Sequence, residues 1–380
     1  MGFSGARLRL PVLTAPVHGR GAQADVPNRF EPIALDPADA HDDPAAADDA
    51  GPRGGASAGP ATRYFMDRTQ TALTYNTSPD IPFEVSLNPY RGCEHGCSYC
   101  YARPFHEFLG LSAGLDFETV IFCKPKLPEL LRAELSRPSY RPSTVTISGV
   151  TDGYQPAERK LGIVRRCLEV LAECRHPVNI VTKSHLVTRD LDLLSELAAW
   201  GAARVDVSVT TLDADVARRM EPRASSPRRR LEAIAACARS GVPVGVLASP
   251  VVPGLTDHEL PKILEAAAEA GAGWAHFIPL RLPGAVERVF LDWLSVHYPD
   301  RVGKVLSRQR SLRGGKLNES RFGMRFGGVG PFYAQLEQMM AMQRRRLGLA
   351  DHGPKLRTDA FRRPEPVNSG SGDGQLRLFE

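Results

Sequence analysis

Cys93, Cys97 and Cys100 fall within eight residues of one another, in the run Asn88-Pro89-Tyr90-Arg91-Gly92-Cys93-Glu94-His95-Gly96-Cys97-Ser98-Tyr99-Cys100-Tyr101. Three residues separate the first pair and two the second. Gly92 and Gly96 let such a loop curl until three thiolates face one cluster. Three thiolates on a four-iron cluster leave one iron without a protein ligand. An open metal position of that kind can take a substrate or cofactor, as it does in catalytic zinc sites. Zinc, with His95 as a fourth ligand, is the competing reading, although His95 lies inside the three-residue gap and reaches the same ion awkwardly. Three cysteines that bind no metal is a third reading, and a polar, loop-borne segment suits it poorly. The chain has seven cysteines, an odd number clustered in this way, which describes a reduced, cytoplasmic protein and not a disulfide framework.

A chain of 380 residues, 42% hydrophobic and 24% charged, is ordinary globular material with room for one large core or two modest ones. No run of apolar residues is long enough to span a bilayer, so no membrane association is expected. Arg7 and Arg9 precede no useful apolar stretch, so a secretory signal is not expected either. The net charge is +5, but Glu31, Asp36, Asp39, Asp42, Asp43, Asp48 and Asp49 crowd one segment that has no Lys or Arg. The remainder is therefore more basic than the total suggests, which favours polyanionic partners. Arg218, Arg219, Arg228, Arg229 and Arg230 form one basic cluster. Arg313, Lys316, Arg321 and Arg325, interleaved with Phe322 and Phe326, form another that could hold phosphates and stack bases. A solvated helix face is the plainer account of the first.

The elements that must position these groups alternate regularly. Strand character appears at 84–87, 144–148, 178–182, 204–209, 242–248 and 274–279. Helical periodicity follows at about 99–109, 156–174, 188–200, 225–240, 256–270 and 284–297. A short extra piece, 119–136, interrupts the first two units. Six β/α units in series imply parallel strands with right-handed crossovers, as a doubly wound sheet or a full or partial barrel. Functional groups then belong at the C-terminal strand ends. Residues 1–62, rich in Ala, Asp, Pro and Gly, are expected to be largely disordered. The barrel core would run from 63 to 300 and a basic helical extension from 301 to 346. A flexible tail would occupy 347–380, with a Gly/Ser linker at 369–374.

A C-x3-C-x2-C loop directly after the first strand of such a chain resembles the radical S-adenosylmethionine (SAM) superfamily. The segments NPYRGCEHGCSYCYARPFHEFLG, SGVTDGYQPAERK, VTKSHLVTRD, EPRASSPRRRLEAI and ASPVVPGLTD resemble in particular the relatives of spore photoproduct lyase. GRGA at 19–22 and NRFE at 28–31 extend the resemblance weakly. It implies an α/β fold, a partial (β/α)6 TIM-like barrel, holding a [4Fe-4S] cluster on Cys93, Cys97 and Cys100. The unique iron would chelate the amino and carboxylate groups of SAM. Reduction by an external flavodoxin- or ferredoxin-type donor would release a 5′-deoxyadenosyl radical that removes a substrate hydrogen. Tyr99 is implied near the adenine. Ser148, Gly149, Thr151 and Asp152 match the segment that contacts the methionine amino group. Lys183 and Ser208 match SAM-contacting positions, and Arg223 could meet the SAM carboxylate or a substrate phosphate. Pro250–Gly254 would form the turn near the adenine, or a plain turn after the fifth strand.

One departure bears on the reaction. Spore photoproduct lyase has a hydrogen-donating cysteine in the loop after its second strand, and here that loop reads Gly149-Val150-Thr151-Asp152-Gly153-Tyr154. Tyr154 or Cys123 could stand in, although packing roles suit both better. Cys167, Cys174 and Cys237 read as packing, and His106 and Glu107 as cavity or helix-end groups.

The chain ends Gln375-Leu376-Arg377-Leu378-Phe379-Glu380. This resembles the peptide by which bacterial replication and repair proteins dock on the DNA sliding clamp, through Gln375, Leu376, Leu378 and Phe379. An apolar peptide on a flexible tail has nothing local to bury against. The leading expectation is a radical SAM enzyme acting on nucleic acid, with lesion repair as the related chemistry. Modification of tRNA or another substrate, and a clamp-tethered protein with a structural cluster, are the alternatives.

Overall fold

The computed structural model describes residues 17–30 and 60–365. Six strands follow the expected positions: β1 Val85–Leu87, β2 Val145–Ile147, β3 Val178–Thr182, β4 Ala203–Ser208, β5 Val244–Val251 and β6 Ala275–Pro279. They pair in parallel in chain order, and Leu73–Tyr75 adds an antiparallel edge strand beside β1. In β3 and β4 Val178, Ile180, Val205 and Val207 are fully buried, as β-branched residues covered on both faces should be. The sheet begins at an antiparallel strand and ends at β6, so among the described residues it is a partial barrel of the expected α/β kind.

The helices follow the expected order with informative breaks. The 156–174 segment divides at Gly162, whose φ is 59°, into Glu158–Leu161 and α1 Ile163–Glu173. The inward stripe of α1 includes Cys167 beside Leu168 and Leu171, all fully buried. Downstream lie α2 Leu191–Ala199, α3 Pro227–Arg239, α4 Leu260–Glu269 and α5 Val286–His297. Ser226 caps α3 by accepting from the Arg229 amide, with Pro227 at the first helical position. No long helix forms at 99–109. Only two short 3₁₀ turns occur there, Arg103–Phe105 and Glu107–Leu109, because the cysteine loop consumes the preceding backbone and Gly110 turns left-handed. The 119–136 piece supplies a strand, Val120–Cys123, that pairs with Arg63–Met66 and Tyr90–Arg91 in a second small sheet.

Both ends hold more structure than their composition suggests. Residues 17–30 pack against the cysteine loop, as described below. Beyond α6 Val302–Leu312 and α7 Gly330–Leu347, the tail as far as 365 runs across the N-terminal strand ends. The Ala350 amide donates to Gly273, Arg357 to Gly201 and Arg362 to Cys174. Leu356 is buried, and the Phe361 ring stands 5.5 Å from that of His176. Apolar residues spaced too sparsely to announce an element find a ready-made surface here. The terminal Gln375, Leu376, Leu378 and Phe379 lie outside the described residues. Among the described residues no helix is long and apolar enough to cross a membrane.

Two buried histidines make the fold acid-sensitive. His106 hydrogen-bonds the Val120 carbonyl at 3.0 Å, and His176 meets Tyr140 Oη at 2.7 Å. Burial lowers each from 6.5 to about 4. The unfolded chain takes up these protons first as the pH falls. The stabilisation is therefore complete above about pH 6.5 and is lost progressively towards about pH 4. The expected result is a melting temperature that falls through this window, with a shallower fall in His176→Gln. An unchanged slope in that variant would remove the assignment for His176.

Candidate active site

The C-terminal ends of β1 to β5 gather the expected residues. Cys93, Cys97, Tyr99 and Ser208 are buried, and Cys100 is nearly so. Burial raises all three cluster-loop thiols, and the sulfurs raise one another. Opposing this, the Asp152 amide aims at Cys93 and the Ala102 amide at Cys100, while Lys183 acts on Cys97 and Cys100. Backbone donors and a cation aimed at sulfur suit thiolates, and a positively charged iron centre removes the cost of burying them together.

His95 does not join them. Its Nδ1 lies 3.4 Å from Asp152 Oδ2, and among the described residues no three His, Cys, Asp or Glu side chains close around a single ion. A four-iron cluster asks for something else, since each thiolate binds a separate corner and the sulfurs stand apart.

Asp152 is a junction. Its carboxylate accepts from the Lys183 amide at 2.7 Å, Thr182 Oγ1 at 2.8 Å and the Tyr154 amide at 2.9 Å. Burial alone would raise this carboxyl, but His95 and the two amides bring it down to about 2. Its bonds tie the β2 loop to β3 and to the cysteine loop, so its acceptors face the chain itself. Thr151 donates to the Tyr90 carbonyl at 3.0 Å. Ser148, at φ 75°, accepts from the Gly153 amide at 2.6 Å, and the Gly149 carbonyl accepts from Tyr101 Oη at 2.6 Å. These residues shape the loop beside the sulfurs.

Lys183 and Ser249 differ from them. Among the described residues the Lys183 ammonium makes no hydrogen bond or ion pair, standing 5.9 Å over the Tyr99 ring. Ser249 Oγ is buried without a partner, while its carbonyl accepts from Ser208 Oγ at 2.9 Å. Tyr99 Oη reaches Glu221 and Thr210. An ammonium without a hydrogen-bond partner close to Cys97 and Cys100 is what a bound carboxylate would satisfy.

Glu221 and Arg223, two residues apart, do not pair with each other. Glu221 pairs with Arg230 at 2.5 Å, both buried, and accepts from Thr210 at 2.9 Å. Arg223 instead meets Glu94 at 3.2 Å and Thr62 at 3.0 Å. Its guanidinium is engaged by the chain next to the loop, where the sequence reading gives it SAM or a phosphate. Most of the first basic cluster is neutralised in place, Arg218 by Asp215 and Arg228 and Arg229 by Glu232. Cys123 is buried in a strand with its thiol raised by burial to about 12, and Tyr154 lies in the main core beside Asp190.

The sequence reading missed the brace under the loop. Arg103, fully buried, donates twice to the Cys97 carbonyl, at 2.8 and 2.9 Å, and pairs with Glu118 at 2.5 Å. Glu118 also accepts from the Gly21 and Ala22 amides at 3.1 and 2.8 Å. Gly21 lies so close to the loop that a β-carbon there would stand 1.7 Å from the Gly96 carbonyl oxygen. Arg20 reaches the Glu118 carbonyl at 2.9 Å, and Arg29 pairs with Glu107 at 3.3 Å. The one available sign was the pair of short segments, GRGA and NRFE, inside otherwise featureless sequence.

A family model described as the radical SAM superfamily matches residues 87–267. An uncharacterized protein of Mycobacterium tuberculosis is 37% identical over 234 residues, spanning 61% of this chain and 68% of that protein. The radical SAM Nalpha-GlyT isomerase of Pseudomonas phage M6 is 23% identical over 61% of this chain and 48% of its own length. Among solved structures, a spore photoproduct lyase variant with bound AdoMet and dinucleoside spore photoproduct superposes with a TM-score of 0.54. It does so at 18% identity, over 75% of this chain and 80% of that one.

Proposed function

This chain belongs to the radical SAM superfamily and is an enzyme that works with a [4Fe-4S] cluster and SAM, and from that premise we propose that it acts on nucleic acid. Cys93, Cys97 and Cys100 would hold the cluster and leave one iron for the amino and carboxylate groups of SAM. When bound and reduced by an external donor, the pair supplies a 5′-deoxyadenosyl radical able to remove a substrate hydrogen. The chain's own residues bind and orient. Lys183 offers its ammonium to the SAM carboxylate and Ser249 its hydroxyl. Tyr99, pinned by Glu221 and Thr210, presents a ring face beneath them. Asp152 holds the two loops in register.

The observation that carries the SAM site is the Lys183 ammonium, without a hydrogen bond or ion pair among the described residues and close to Cys97 and Cys100. The nucleic-acid reading is supported by the basic body and by the fold shared with a lyase whose bound ligand is a dinucleoside photoproduct. The β2 loop has no cysteine, so hydrogen return by a thiol in that loop is not part of the proposal. The terminal peptide supports the finer proposal that the substrate is DNA met at a sliding clamp, tested by clamp binding before and after removal of 375–380.

The deciding experiment is anaerobic reconstitution with iron and sulfide, then dithionite and SAM, with 5′-deoxyadenosine quantified by chromatography. Irradiated DNA is expected to raise the yield several-fold over enzyme alone. Stimulation by tRNA but not by DNA would move the proposal to RNA modification. No 5′-deoxyadenosine with either nucleic acid would overturn the nucleic-acid reading and leave an enzyme gated by another substrate, or a structural cluster.

A further inference from the structure

We propose that Arg281 forms an anion subsite at the rim of the active site and holds a phosphodiester of the substrate strand. This rests on the nucleic-acid reading above and deepens it. Arg281 follows β6 by two residues, at a C-terminal strand end. Its Nε is buried without a hydrogen-bond partner, and among the described residues no carboxylate forms an ion pair with any of its nitrogens. The other deeply placed arginines are all engaged. Arg103 bonds Glu118 and the Cys97 carbonyl, and Arg230 bonds Glu221. Arg313 bonds the carbonyls of Pro279, Leu280, Arg325 and Gly327.

The neighbours of Arg281 make an internal role unfavourable. Burial lowers its pKa and the Arg325 cation lowers it further, with Asp80 offsetting only part of this. Arg325 has its own acid, Asp80, at 2.5 Å, so that carboxylate is already committed. A guanidinium pressed against a second cation, whose nearby carboxylate is paired elsewhere, is stabilised by an anion from outside. The surroundings suit a phosphate flanked by bases. The guanidinium stands 4.4 Å over the Phe326 ring, and the planar edge of a guanidinium matches a phosphate for bidentate bonding. Phe322 is 62% exposed on the same loop. Tyr101, next in the chain to Cys100, is 47% exposed and lies near Arg281. Exposed aromatic faces beside a cation are how single strands are held without sequence preference. This placement sets the phosphate beside Tyr101 and the cysteine loop.

The test uses the full-length reconstituted enzyme, without SAM, and a short fluorescein-labelled oligothymidylate followed by anisotropy over a series of salt concentrations. Removing one phosphate contact should weaken binding roughly tenfold and lower the slope of log K against log salt by about 0.7. Arg281→Gln is expected to show both changes, and Arg281→Lys to restore most of the slope. Cluster absorbance and circular dichroism establish that each variant is folded. Arg281→Gln with wild-type affinity and slope would overturn the subsite while leaving the nucleic-acid reading standing. A folded wild-type enzyme that binds no oligonucleotide would overturn both. If the guanidinium serves the SAM carboxylate instead, binding measured without SAM does not change, and the subsite again falls.

Discussion

Cys97→Ala is expected to abolish both the visible absorbance of the reconstituted cluster and the formation of 5′-deoxyadenosine. Cys97 is the middle ligand of the proposed three, buried and flanked by Cys93 and Cys100. Two thiolates hold a four-iron cluster at two corners only and leave two irons open to solvent or loss. The neighbouring polar groups are already engaged within the chain. His95 is paired with Asp152, and Glu94 is held by Tyr64 Oη at 3.0 Å and by Arg223. Activity should fall to background, well beyond the tenfold to hundredfold cost of losing a group that only helps orient a metal ligand. Iron and sulfide content would be measured with product on the same sample. A variant that keeps full iron content and still cleaves SAM would remove Cys97 from the ligand set.

Glu118→Ala is the second large effect, and it falls on stability. Glu118 and Arg103 are both fully buried. Removing the carboxylate leaves a guanidinium in the interior without its counter-charge, which costs about 3–5 kcal/mol. The Gly21 and Ala22 amides lose their acceptor in the same step. Damage should pass to the cluster, because Arg103 also fixes the Cys97 carbonyl and the 17–30 segment covers Gly96. Urea unfolding should show the loss, and cluster absorbance should bleach faster in air. Glu118→Gln, which keeps an acceptor for the amides but not the charge, should fall between the two. A change below about 1 kcal/mol in Glu118→Ala would mean that Arg103 finds another partner and that the brace is not structural.

The sequence by itself determined the cysteine loop, the six strands and their order, and the strand ends where chemistry belongs. Each of these is a local statement. A C-x3-C-x2-C spacing is chemistry within one turn of chain, and VNIVT at 178–182 or the run at 203–208 is a buried strand because β-branched residues fill a sheet covered on both faces. Lys183 and Ser208 come from the family resemblance, and the structure places them at or just beyond the ends of β3 and β4.

Tertiary structure decided the partners. Glu221 chose Arg230, nine residues on, over Arg223, two residues on, because the start of α3 points back into the interior while Arg223 turns towards Glu94. Gly21 and Glu118, 97 positions apart, meet only after folding, and composition marks the first as featureless. Arg281 reads as one more surface arginine until the fold brings Arg325 beside it and Asp80 to Arg325. Ion pairs and hydrogen bonds reach only a few ångströms, so spacing along the chain locates a charged residue on its element. Which opposite charge it meets, or whether it meets none and waits for a ligand, depends on contacts that only the packed chain makes.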